Sequence, residues 1–192
     1  MRNRLLAAAL VASLGLASAA RADHTWGVGL HGTTQHITPA DGDVGYEVQL
    51  AGGGLQARWR MIPRFGIELA FEGLGGAKGE AFKREAGAVG LTGMLHLTIG
   101  GPWDLYLLIG VGTRSDTVTL QNVDGEETVQ EFKQTFVSAG IGLEYLWTHF
   151  GVGAEVRAVG YARDDGDEAR TYDAVPAEAA GAQGTLTATY YF

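Results

Sequence analysis

The last ten residues of the chain, from Gln183 to Phe192, read QGTLTATYYF, and they decide how the rest of the sequence is interpreted. In an extended strand, successive side chains point to opposite faces. One face would then carry only apolar and aromatic side chains, namely Leu186, Ala188, Tyr190 and Phe192. The other face would carry Gln183, Thr185, Thr187 and Thr189, followed by Tyr191. Chain ends are usually polar, so this pattern indicates either an edge strand of a soluble sandwich or a strand whose outer face meets an apolar medium.

The amino terminus has the three parts of an export signal. Basic residues precede an apolar run from Leu5 to Leu16, and a small-residue Ala-x-Ala end follows at residues 20–22. The run has only 12 residues, whereas a helix that spans a membrane needs about 20. We therefore predict a signal peptide at residues 1–22, cleaved after Ala22, and a mature domain at residues 23–192. No cysteine follows the run, which excludes a lipid-modified cysteine as an anchor.

Composition narrows the class of protein further. The chain has 14 basic and 22 acidic residues, a net charge of −8, and the predicted leader contains three of the basic ones. The mature domain is therefore still more acidic, which argues against nucleic acid as a partner. The absence of cysteine excludes disulfides and thiol chemistry, so an exported domain of this size needs another source of stability. A closed, hydrogen-bonded sheet would supply it.

Eight segments after the leader alternate apolar and polar side chains with a period of two, which predicts strands. The clearest is at residues 65–72, where one face carries Phe65, Ile67, Leu69 and Phe71. In the second segment, at about residues 46–60, the apolar residues change parity across Gly52 to Gly54. We interpret this change as a glycine β-bulge, because one extra residue reverses the direction of every later side chain.

The gaps between segments alternate long and short: we predict a loop at residues 73–84, a short turn at residues 100–104 and, at residues 117–132, a hairpin that projects beyond the membrane. Aromatic residues gather beside the short gaps. They are Trp59, Phe65, Trp103, Trp147 and Phe150, with Trp26 and Phe192 nearby. Such side chains favour the interface between lipid headgroups and hydrocarbon. Tight turns on one side and longer loops on the other are typical of membrane barrels. We therefore predict an all-β fold, an eight-stranded antiparallel up-and-down transmembrane β-barrel; a soluble eight-stranded barrel would instead place the apolar face inside.

The export signal, the eight alternating segments and the terminal Tyr190-Tyr191-Phe192 together resemble the small outer-membrane barrel families of the OmpA transmembrane domain, OmpX and OmpW. The resemblance covers the whole mature chain and implies the outer membrane of a Gram-negative cell, with both termini periplasmic. It also implies that Tyr190 and Phe192 form the signal that the barrel-insertion machinery reads. These features specify architecture rather than an activity.

Six residues that can carry charge alternate onto the polar face: Arg58, Glu68, His96, Glu144, Glu155 and Arg157. Counted from the short turns, they fall in one zone of an interior that side chains just fill. A buried charge must be paired, since an unpaired one costs several kcal/mol. We therefore predict a lumen charge network in which Arg–Glu pairs plug the barrel. The alternative is a narrow, gated ion path through the same network.

The histidines give little support for metal or catalytic chemistry, and we expect no metal site, no cofactor and no catalytic residue. They are spread along the chain, at His24, His31, His36, His96 and His149. His31 and His96 would face the lumen from opposite ends, and His36 falls in a loop. Barrel enzymes that deacylate lipid A place a serine two residues after a histidine. Here the corresponding residue is a threonine, as at Thr98, and it would point into the lumen.

The predicted long loops are acidic, with Asp41, Asp43, Asp124, Glu126, Glu127, Asp164, Asp165, Asp167 and Glu168. Their spacing matches no EF-hand loop. We interpret them as a solvated surface, with divalent cations bridging them to lipopolysaccharide phosphates as the alternative. We expect a monomer with a structural or surface-interaction role in outer-membrane lipid and lipopolysaccharide. Alternatives are a narrow channel, OmpW-like transport of small molecules past Leu55, Tyr106 and Leu108, or a lipid A-modifying enzyme.

Overall fold

The structure is a computed structural model that describes residues 26–39, 47–77, 82–98, 101–121, 126–163 and 178–192. The predicted signal peptide, residues 1–22, lies outside the described residues. The fold consists of eight strands: β1 (Trp26–Pro39), β2 (Val48–Ile62), β3 (Phe65–Ala77), β4 (Phe82–His96), β5 (Trp103–Gln121), β6 (Glu127–Trp147), β7 (Phe150–Arg163) and β8 (Glu178–Tyr191). In the part of the chain that is described, no helix has the length and hydropathy to cross a membrane.

Each strand pairs antiparallel with the next one in the chain, and β8 pairs with β1, so the sheet closes into a barrel. The closing pair runs in unbroken register from Gly27 opposite Tyr191 to Pro39 opposite Ala179. The backbone N–H of Phe192 donates to the carbonyl of Trp26 at 2.9 Å and extends this pairing. Closure removes the unpaired edges of an open sheet. The predicted eight-stranded up-and-down barrel is confirmed.

The links between strands define two ends of the barrel. Residues 63–64, 97–102 and 148–149 connect strands at the end where β1 begins and β8 ends, which we call the turn side; the opposite end is the loop side. The predicted alternation of gap lengths is wrong in the middle of the chain, because residues 78–81 make a shorter link than residues 97–102. Strands β3 and β4 extend further toward the loop side than the pattern indicated, because Leu74 and Phe82 are buried inside the barrel there.

From the turn side to the middle of the barrel, apolar side chains point outward and most inward side chains are polar; the buried Met94 and Leu108 are apolar exceptions. Ile109 and Leu186, for example, are 71% and 69% exposed, whereas Thr187 and Thr189 are buried. The aromatic residues predicted beside the turns line the rim of this outer surface; Trp26 stacks on Trp59 with ring centroids 5.0 Å apart. This arrangement is expected where strands face lipid and an aromatic girdle marks the interface.

Toward the loop side the pattern changes: several apolar side chains point into the barrel, and the outward side chains become more polar. Val48 and Leu50 point inward and are 3% and 1% exposed, whereas Leu55 of the same strand points outward and is 60% exposed. A buried cluster fills the loop-side end, which we call the apolar cap: Ile37, Val48, Leu50, Leu74, Phe82, Ala86, Val118, Val159, Tyr161 and Ala179. Beyond Val111, the alternate outward residues of β5 are Thr113, Ser115, Thr117 and Thr119. The strands therefore leave the apolar medium, and their loop-side ends pack like a water-soluble barrel.

The glycine β-bulge predicted at Gly52 to Gly54 is wrong. These glycines pair in continuous register with β1, where Gly53 lies opposite Gly32, and with β3. The register shift in this part of the sheet lies between Arg60 and Ile62, next to the turn. The apolar residues change parity because the medium outside the wall changes from lipid to water, while each side chain keeps its alternating direction.

Candidate functional site

Polar side chains fill the interior of the barrel in clusters, of which the first lies toward the turn side and centres on Arg58. The Nε of Arg58 donates to Glu68 at 2.7 Å, Nη1 donates to Glu144 at 3.1 Å and Nη2 donates to Glu155 at 2.7 Å. All four residues are buried. Because the carboxylates come from β3, β6 and β7, one guanidinium on β2 connects four strands across the lumen.

A second guanidinium and two phenols complete this turn-side cluster. Arg157 donates to Glu68 at 2.9 Å and also pairs with Glu155. The hydroxyl of Tyr106 donates to Glu155 at 2.9 Å, and that of Tyr191 donates to Glu144 at 2.7 Å. Each carboxylate thus receives hydrogen bonds from at least two side chains, as burial of a charge requires.

His96, which the sequence pattern assigned to the same network, lies in a separate group next to the turns. Its Nδ1 is 2.9 Å from Asp104 and 3.1 Å from Arg60, and Arg60 also pairs with Asp104. The sequence pattern missed Arg60 and Asp104, since it places Asp104 in a turn. Arg60 lies two residues after Arg58 and so points to the same face of the strand, and this alternation is the signal that could have placed Arg60 in the lumen. We call these three residues the rim group.

A further cluster, toward the loop side, was missed altogether. Arg84 Nε and Arg114 Nη2 donate to the same oxygen of Asp116, at 2.7 and 2.8 Å. Arg114 Nη1 also donates to Gln35 at 2.9 Å, and Arg84 Nη2 lies 3.4 Å from its acceptor on Gln134. The sequence pattern places Arg84 in a loop and residues near 116 in a projecting hairpin, so it gave no reason to bring them together. We call these five residues the loop-side cluster.

Glycine on one strand makes room for large side chains on its neighbour. A Cβ at Gly142 would overlap the ring of Tyr106, and a Cβ at Gly112 would overlap the ring of Phe136. Such close approach is a role that only glycine can take inside a strand. The dense packing of the lumen therefore depends on glycines in the strands as well as on the charged side chains.

A small cavity of about 30 Å³ separates the turn-side and loop-side clusters. His31 and Glu72 are among the residues that line it, with 3.7 Å between His31 Nε2 and the nearer carboxylate oxygen. A space of this size holds about two water molecules. The cavity lies between the two clusters and leaves little unfilled space in the part of the lumen that the structure describes.

The described residues do not assemble a metal or hydrolase site. They contain no group of three or more histidine, aspartate or glutamate side chains that could hold a metal ion. His36 lies in β1, not in a loop as predicted, and its Nε2 is 2.9 Å from Glu47. The hydroxyl of Thr98 donates to the carbonyl of Trp103 at 3.0 Å, so it is not directed at His96.

The predicted terminal signal residues lie at the outer surface of the closing strand. Tyr190 and Phe192 are 47% and 65% exposed, and their rings meet with centroids 5.3 Å apart. Tyr191 between them points into the lumen and joins the turn-side cluster. The strand therefore offers an aromatic outer face while its inner face closes the charge network.

Comparison with known proteins agrees with this geometry. The sequence matches the family model "Outer membrane protein beta-barrel domain" over residues 5–180, and no curated protein sequence matches it. Among solved structures, it is similar to Neisserial surface protein A (NspA), with 12% identity over 87% of this chain and 97% of that one and a TM-score of 0.59. It is also similar to Ail, the attachment invasion locus protein of Yersinia pestis, with 16% identity over 89% of this chain and 100% of that one and a TM-score of 0.56. Since the family model covers most of the chain, this protein belongs to the outer membrane β-barrel family.

Proposed function

We propose that the protein is a closed outer-membrane barrel with a structural or surface-interaction role, and that it is neither a pore nor an enzyme. The observation that supports this best is the filled lumen. In the described residues, the turn-side cluster fills the lumen toward the turns, and the loop-side cluster and the apolar cap together fill it toward the loop side, where Leu50 lies opposite Gln35 and Val118 lies opposite Arg84 in the register. An eight-stranded barrel has no more interior than such side chains occupy.

Two different barriers oppose the passage of an ion. In the turn-side cluster it would have to break hydrogen bonds between buried groups of opposite charge, which leaves each group unpaired. Toward the loop side, where Leu50 and Val118 are fully buried beside the loop-side cluster, it would have to lose its hydration and break the bonds of Arg84 and Arg114 to Asp116. The same two layers support the Arg–Glu plug as a device that closes and stiffens the barrel.

The proposed orientation places both termini and the turn side in the periplasm. An even number of strands puts the start of β1 and the end of β8 on the same side, and periplasmic turns are the short ones in this class of protein. The loop side then faces outward. Of the predicted acidic loop residues, Glu126 and Glu127 are described and exposed, and the others lie outside the described residues. We propose that this acidic side meets lipopolysaccharide, with divalent cations as bridges, and that the barrel works as a monomer.

We also propose that the aromatic outer face of β8, with Tyr190 and Phe192, is what the barrel-insertion machinery reads. Its support is the exposure of both rings on the strand that closes the barrel. A route for small apolar molecules has less support, because Leu55 lies on the outer wall while Tyr106 and Leu108 are buried inside. The three residues of that predicted path do not lie together.

Conductance across a planar lipid bilayer tests the proposal. The refolded wild-type barrel is expected to show no steady single-channel current, and Arg58→Ala is expected to leak or to unfold, because it removes the residue that joins four strands. Leu143→Ala, on the outward face of β6, is the matched control and should stay closed. A steady, ion-selective current through the wild-type barrel would refute the closed lumen.

A further inference from the structure

A groove of about 600 Å³ crosses the outer wall of the barrel, away from the lumen clusters. Its floor follows one line of register partners across β7, β8, β1, β2 and β3: Val156, Gly184, Thr34, Ala51 and Gly75. The line covers four inter-strand spacings, or about 19 Å. The volume lies within the range of sites that bind small molecules, about 300–1,000 Å³.

The groove lies where the outer wall changes from apolar to polar. Two outward-facing register rows from its floor, toward the turn side, lies a row of large apolar side chains, Leu30, Leu55 and Phe71, which we call the ledge. On its loop-side edge stand His36 and Gln49, which also face each other in the register. A molecule in the groove would therefore have one part beside the lipid-facing band and another part beside polar side chains.

Between the ledge and the loop-side edge of the groove, glycines leave the outer wall without side chains. Gly32, Gly53 and Gly73 face outward in one register row, directly above the ledge. A Cβ added at Gly73 or Gly75 would meet no protein atom within 4 Å, so packing within the barrel does not require glycine there. Glycine weakens a strand, and it commonly marks a place where another molecule approaches the backbone closely.

We propose that this groove binds one acyl chain of a bilayer lipid from the loop-side leaflet. The groove is continuous with the apolar surface that the strands present to lipid, so a lipid is the molecule that covers it. Among the described residues that line it there is no lysine, arginine, aspartate or glutamate, which matches an uncharged chain rather than a phosphate headgroup. Thr34 and Gln49 are placed to hydrogen-bond the neutral ester or amide at the head of that chain, whereas the Nε2 of His36 already lies 2.9 Å from Glu47.

Native mass spectrometry of the refolded full chain, released from detergent micelles with dioleoyl phosphatidylcholine added, tests the proposal. The wild-type barrel is expected to keep one lipid. Gly75→Leu places a side chain in the groove and should lower the one-lipid peak at least about tenfold, the change that a loss of about 1.4 kcal/mol of binding produces. Ala51→Leu fills the same row of the groove and should act alike, so the test does not depend on one variant.

Gly87→Leu is the matched control. Gly87 also faces outward, opposite Gly73 in the register, and a Cβ there would meet nothing within 4 Å, but it does not line the groove. It should keep the lipid, and heat-dependent gel migration should show that all three variants are folded. Equal lipid retention by Gly75→Leu and Gly87→Leu overturns the proposal. So does a wild-type dimer that Gly75→Leu converts to a monomer, because a second copy would then occupy the groove.

Discussion

Arg58→Ala is the substitution that examines the filled lumen most sharply. The change removes the guanidinium that contacts Glu68, Glu144 and Glu155, and all three carboxylates are buried. Glu68 and Glu155 keep Arg157, but Glu144 keeps only the hydroxyl of Tyr191 among the contacts described above. Removing one partner of a buried ion pair typically costs about 3–5 kcal/mol, and we expect the free energy of unfolding to fall by that amount.

The assay is urea unfolding of the barrel in phospholipid vesicles, followed by the fluorescence of its four tryptophans. Arg157→Ala is the control, because its two carboxylates both keep Arg58; the loss should be smaller, about 1–3 kcal/mol. Arg58→Met combined with Glu144→Gln should recover part of the loss, since it removes the charge left without a cation. A loss below about 1 kcal/mol for Arg58→Ala, the size typical of exposed pairs, would refute the argument that this network holds the barrel together.

Three further predictions concern the walls and the terminus. Leu107→Arg places a charge on the outward face of β5 within the apolar band and should lower the unfolding free energy by about 2–4 kcal/mol. Thr117→Arg lies on the same face beyond the band and should change the unfolding free energy by about 0.5 kcal/mol or less. Equal losses for the two variants would contradict the boundary between lipid and water on the outer wall. Gly142→Val should abolish folding into the heat-resistant form on gels, because its side chain would overlap the ring of Tyr106. Phe192→Ala should reduce the amount of assembled barrel in outer membranes by immunoblot without changing the unfolding of refolded protein, and unchanged assembly would remove Phe192 from the insertion signal.

The strands were predictable because alternation needs only local sequence. Phe65 to Phe71 show one face to lipid, and any extended segment with that pattern must do so. The misreading of Gly52 to Gly54 has a physical origin, since hydrophobicity alone does not say which medium a face meets. Val48 and Leu50 are apolar because they form a core above the membrane, and Leu55 is apolar because it faces lipid.

The interior contacts were less accessible to sequence reasoning because they join strands that are distant in the chain. Parity brings Arg58 and Glu155 to the same side of the wall, but their sequence separation of 97 gives no register, which depends on tilt and closure of the whole sheet. Asp104 was assigned to a turn because it follows Gly-Gly-Pro-Trp, yet it is fully buried in the rim group. Arg84 was assigned to a loop at residues 73–84, and Asp116 directly precedes the stretch that was predicted as a hairpin projecting beyond the membrane.

The central claim is that every strand keeps its side-chain alternation while the medium outside changes from lipid to water. The chain has no cysteine, so single cysteines can be introduced one at a time along β5 and spin-labelled in vesicles. Collision rates with oxygen, which dissolves in lipid, should be high at odd positions from Leu105 to Val111. Collision rates with a water-soluble nickel complex should be high at odd positions from Thr113 to Thr119, with even positions protected throughout. A change of parity between these two stretches, or lipid contact at the even positions, would contradict the account.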